Sequence, residues 1–89
     1  MLKTKRKVIE KEIDGVEGKV HLRPALYGQV RAWMKSKTGD RDSLKECVVD
    51  SGGKPILTDK DIDNLPTDVF LALVDSVLEI NGLGKTKNG

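Results

Sequence analysis

The sequence predicts an α+β fold, a mostly α-helical small domain of three to four helices with an N-terminal β-hairpin. Three observations predict it. Residues 7–23 alternate in character on both sides of a glycine-rich turn. Residues 67–81 carry a wide apolar stripe at helical spacing. The chain has 89 residues, 37% apolar and 34% charged, which suits one modest core. Residues 1–83 therefore read as a single domain and residues 84–89 as a flexible C-terminal tail.

Each element has its own local reason. Ile9, Lys11 and Ile13 alternate, as do Val20, His21 and Leu22, around Asp14-Gly15-Val16-Glu17-Gly18. The two glycines and the Asp-Gly pair suit a turn that needs positive φ. Pro24 fits the first turn of a helix, and Leu26, Val30, Trp33 and Met34 then share one helical face through residue 37. Thr38-Gly39-Asp40 is expected to stop it. A second helix is expected over residues 42–49, with Ser43 and Glu46 as a capping box and Leu44, Cys47 and Val48 facing inward. Ser51-Gly52-Gly53-Lys54-Pro55 breaks it, and Ile56-Leu57 is a short extended anchor. Thr58 or Asp59 caps a short helix through residue 63, with Ile62 and Leu65 inward. Pro66 opens the last and strongest helix, and Asn81-Gly82 ends it.

Charge is unevenly spread. The formal net charge is +2, but residues 1–37 hold ten Lys/Arg against four Asp/Glu, and residues 38–89 hold six against ten. Such a dipolar chain can attract copies of itself, basic end to acidic end, into an open oligomer or spiral. No apolar run approaches the roughly 20 residues of a membrane span, and Val8-Ile9 is followed at once by Glu10-Lys11-Glu12, which leaves no secretory apolar region. No membrane partner is expected.

Chemistry is sparse. The single cysteine, Cys47, excludes an internal disulfide and a multi-thiolate metal site. It sits at an apolar helical position and reads as core. His21 reads as a half-exposed strand residue; no orienting or oxyanion motif joins it to Cys47. A calcium loop starting at Asp50 would need ligands where Gly52 and Lys54 stand, and one starting at Asp59 places Phe70 where the bidentate Glu belongs. Gly84-Lys85-Thr86 lacks the upstream glycine, strand and following helix of a phosphate loop. The expectation is no catalytic residue, no metal, no cofactor and no enzyme activity.

The cadence Cys47-Val48-Val49-Asp50-Ser51-Gly52-Gly53-Lys54-Pro55-Ile56-Leu57-Thr58, then Asp61, Leu65, Val69-Phe70-Leu71-Ala72-Leu73-Val74 and Ile80-Asn81-Gly82-Leu83, resembles the tail assembly chaperones of long-tailed bacteriophages. The resemblance covers residues 40–83. It implies a non-enzymatic protein of the host cell cytoplasm, encoded by a phage or prophage. Such a protein binds the tape measure protein, a long and largely helical chain, and keeps it soluble while tail tube subunits polymerise around it. It is then absent from the finished virion. The resemblance also implies a second product, made by ribosomal frameshift, whose added domain recruits the tail tube protein. Gly84-Lys85 is compatible with a slippery codon pair.

A chaperone for a long helix needs shallow apolar contact repeated over many copies. The candidate partner-binding residues are the apolar side chains in excess of a small core: Trp33 and Met34 on the first helix and Leu71 on the back of the last. Methionine adapts to varied helical surfaces. Trp33 also fits the core stripe. The alternative function is a small nucleic-acid-binding regulator using Lys3, Lys5, Arg6, Lys7, Arg23, Arg31, Lys35 and Lys37. The near-neutral net charge and the acidic second half argue against it.

Overall fold

The computed structural model describes residues 2–83. The tail expected at residues 84–89 lies outside them. Gly15 and Gly18 hold φ at 90° and 77°, conformations glycine adopts freely. The Val16 N–H donates to the Ile13 carbonyl at 3.0 Å, and the chain reverses. Strand β1 (Ile9–Glu12) then pairs antiparallel with β2 (Lys19–Leu22), Ile9 opposite Leu22. Helices α1 (Tyr27–Met34) and α2 (Gly39–Cys47) follow, then a two-residue strand β3 (Val48–Val49), then α3 (Asp59–Asp63) and α4 (Thr67–Ile80). The result is α+β: four helices and a three-stranded antiparallel sheet in the order β1-β2-β3.

The hairpin, α3 and α4 lie where the local signals put them. Thr58 caps α3 as a capping box: its Oγ1 accepts from the Asp61 N–H, while the Asp61 carboxylate accepts from the Thr58 N–H at 2.9 Å. Three boundaries are corrected. The first helix begins at Tyr27, not at Pro24. Residues 23–26 stay extended because the Arg23 N–H donates to the Cys47 carbonyl at 2.9 Å and the Ala25 N–H donates to Asn81 Oδ1 at 2.7 Å. Gln29 Oε1 then reaches back to the Leu26 N–H and closes the helix start.

The second helix begins at Gly39, so the expected stop signal opens the next element instead. The Ser43–Glu46 capping box does not form. Ser43 lies inside α2 and donates its hydroxyl to the Asp40 carbonyl at 2.7 Å, while Glu46 turns to two arginines. The third correction is Val48-Val49. These β-branched residues leave the helix and pair with Leu22 and His21.

The core joins the hairpin, α2 and α4. Leu22, Leu44, Cys47, Val49 and Val77 are fully buried, with Ile13, Ile62, Val69, Leu73 and Val74 nearly so. Each such aliphatic side chain contributes about 1.5–3 kcal/mol on burial, before conformational entropy is charged. α1 packs on α2, and α2 on α4. Leu57 packs against the core, but its neighbour Ile56 stays exposed, so only half of the expected anchor is one.

Glu46 ties the N-terminal arm to this frame. Its carboxylate accepts from Arg6 at 2.7 Å and from Arg23 at 2.9 Å, and Arg23 Nε also reaches the Glu46 carbonyl. Burial works to raise the carboxyl's pKa; the Arg6 hydrogen bond and the charges of Arg23 and Arg6 together outweigh it and hold the pKa below 4.5. A carboxyl with a lowered folded pKa contributes stability that is fully present above its ordinary value. That stability is lost as pH falls through the folded value. The urea midpoint is therefore expected to fall as pH drops below about 4.5. Glu46→Gln should lower the unfolding free energy at pH 7 by about 1–2 kcal/mol, and should flatten part of the acid-side slope. A variant with the wild-type slope would show that the acid sensitivity lies elsewhere.

Candidate functional site

Besides the exposed side chains of Leu2, Ile9, Leu26 and Leu83, the described residues present apolar surface in three places on or between the packed elements. The first is a cleft of about 440 Å³ between the hairpin, β3 and the start of α4, lined by Val16, Val20, Ile56, Leu57, Leu65 and Leu73. It exists because β3 and the turn after it fold back beside β2. Asp50 makes that turn. Its Oδ1 accepts from the Gly52 and Lys54 N–H groups at 2.8 and 3.0 Å, which holds its carboxyl below the usual range. Pro55 then bridges back to Val49, and Ile56 is left 52% exposed beside the cleft.

The second place is the outer face of α1, where Tyr27 and Met34 are 75% and 73% exposed. The third is the outer face of α4, where Leu71 is 56% exposed. The candidate contacts therefore separate. Met34 and Leu71 point outward on different helices. Trp33 is half-buried and packs against the core, where it fixes α1. Tyr27 and the cleft were not among the sequence candidates. Tyr27 lies one turn before Arg31 and two before Met34, and that spacing is the signal that could have found it.

The remaining reactive groups are occupied structurally. Cys47 is fully buried, and burial pushes its thiol pKa up, against a contact from Asn81. His21 lies 3.3 Å from Glu10 across the hairpin. Arg6 and Arg23, two of the cations a nucleic-acid reading needs, are both held by Glu46. Among the described residues no three His, Cys, Asp or Glu side chains converge as metal ligands, and no helix is long and apolar enough to cross a membrane.

Comparison with protein families supplies the decisive observation. The sequence profile described as "Phage tail assembly chaperone, TAC" matches residues 2–81. The chain belongs to the phage tail assembly chaperone family. The match takes in the hairpin and α1 as well as the region that carries the resemblance, so it spans every element of the fold. Comparison with curated proteins and with solved structures returned no match. Membership in a chaperone family assigns a role in tail assembly and, with it, interaction with tail proteins in general.

Proposed function

We propose that this tail assembly chaperone sheathes the tape measure protein in the host cytoplasm and releases it as tail tube subunits polymerise, so that the chaperone itself is not retained in the virion. The observation that carries the reading is the family match over residues 2–81. Physical support comes from the apolar cleft and from the exposed apolar side chains on α1 and α4, surface that a small core has not consumed. The client is a long helical rod with recurring apolar residues. The cleft shelters those residues, with Ile56 at its margin. Several copies act together, lined up along the rod in an open oligomer or spiral, because one shallow contact per copy is weak and many are not. Met34 and Leu71 serve partner contact, and Trp33 supports them from the core side. A longer, frameshifted product brings in the tail tube protein.

Co-expression tests the sheathing. The tape measure protein should partition into the soluble fraction with the wild-type chain and into the pellet without it. Ile56→Asp, at an exposed position where the fold tolerates a charge, should lower the soluble fraction several-fold while leaving the circular dichroism of the chaperone unchanged. A client equally insoluble with and without the chain would end the proposal. Peptide mass spectrometry of purified virions should detect no chaperone.

A further inference from the structure

Resting on the sheathing reading, we infer that successive copies of this chain join through two different helix faces: the outer face of α1 on one copy meets the outer face of α4 on the next. On α1, Tyr27 and Met34 stand on one exposed side, and Arg31 and Lys35 lie along the same side. On α4, exposed Leu71 stands between Asp68 and Asp75, one a turn before it and the other a turn after, while Leu78 packs against the core. The α1 face thus carries two exposed apolar side chains about 10.5 Å apart along the helix, edged by cations, and the α4 face carries one, edged by anions.

The charges on these faces lack an opposite charge among the described residues of the chain, although Asp68 Oδ1 accepts from the Val69 N–H at 3.0 Å. Arg6, Lys11, Lys19, Arg23, Arg41 and Lys45 all have carboxylate partners within their own chain. Among the described residues, Arg31, Lys35, Asp68 and Asp75 form no ion pair. The two faces cannot meet within one molecule, because α1 and α4 both pack inward on α2 and turn these sides out.

Charge also selects the pairing. An α1–α1 contact sets Arg31 and Lys35 against themselves, and an α4–α4 contact does the same with Asp68 and Asp75. Each face repels its own kind and accepts the other. A contact between unlike faces leaves one of each free on every pair, so addition of copies continues.

The experiment is sedimentation velocity of the full chain. The wild type should associate at about 50 mM salt and dissociate toward monomer at about 500 mM. The double variants R31E/K35E and D68K/D75K should each weaken association at least about tenfold. An equimolar mixture of the two should associate again, since the acidic α1 face of one then meets the basic α4 face of the other. Recovery in the mixture also shows that both variants are folded. A wild type that is monomeric at both salt concentrations, either variant associating as the wild type does, or a mixture that stays monomeric overturns the contact. So does a variant that sediments normally but loses client rescue, which assigns the face to the client. Failure here leaves rescue by the Ile56 cleft as a separate readout. A client that stays insoluble sinks the sheathing reading instead.

Discussion

Gly39→Ala is expected to lower stability by about 2–3 kcal/mol, and Gly28→Ala to raise it by about 0.5–1 kcal/mol. Both are helical glycines, and the sign differs because of what a methyl group meets. At Gly39 an added Cβ lies 2.3 Å from the Trp33 carbonyl oxygen and 3.0 Å from its carbon. Those are backbone atoms in the last turn of α1, so no rotamer change relieves the clash. The corner between α1 and α2 has to open. Opening it pulls Trp33 from the core and disturbs the Ser36–Thr38 hydroxyl contact at 3.0 Å. At Gly28 nothing lies within 4 Å, and alanine removes freedom from the unfolded chain without a steric penalty. Urea unfolding followed by circular dichroism reads both. For a domain of this size the loss at Gly39 corresponds to a drop of about 8–24 °C in Tm. A Gly39→Ala protein as stable as the wild type would mean that α1 and α2 do not approach this closely.

The same corner shows what the sequence could and could not carry. The hairpin, α3 and α4 were legible because their signals are local. The glycine pair of the turn, the Thr58 or Asp59 cap and the stripe through Val69, Leu73 and Val77 each declare themselves within a few residues, and the structure resolves the cap to Thr58. The start of α1 was not legible. Residues 23–26 are held extended by the Cys47 carbonyl and the Asn81 side chain, which stand far along the chain. Val48 and Val49 continue the apolar face of α2 as well as they pair with β2. Periodicity alone could not choose between the two. Gly39 read as punctuation, and its close approach to Trp33 is a tertiary fact.

The candidate surface divides in the same way. Met34 and Leu71 were legible as apolar residues beyond what a small core consumes, and both are exposed. Trp33, by contrast, packs into the core it also resembled. The cleft was hidden because the hairpin turn, β3 and the residues leading into α4 build it together. Ile56 reads as an anchor in the sequence, but Pro55 bridges Val49 and leaves it outside. The cadence of residues 47–83, a turn, a cap and a helix stop in order, was enough to bring the family into view.

Asn81 joins these distant parts, and its replacement is expected to be costly. Its Oδ1 accepts the Ala25 N–H at 2.7 Å, and its Nδ2 donates to the Val77 carbonyl at 2.8 Å and lies 3.9 Å from Cys47 Sγ. One amide thus closes α4, holds the entry to α1 and touches the core. Asn81→Leu leaves the Ala25 N–H without its acceptor and should lower stability by about 1–3 kcal/mol. Asn81→Asp is the sharper test. One carboxylate oxygen can still take the Ala25 N–H, but the other faces the Val77 carbonyl and the Cys47 sulfur at the negative end of α4. Only the protonated acid can donate there, so the folded state should raise the pKa of the introduced group above its ordinary value of about 3.9. A group with a raised folded pKa contributes stability that is present below the unfolded pKa and is lost as pH rises through the folded one. The deficit of Asn81→Asp against the wild type should therefore be small near pH 3.5 and grow toward pH 7, opposite in sense to the Glu46 slope. Equal deficits at both pH values would mean that no donor is required opposite Val77, and that the amide acts only through its oxygen on Ala25.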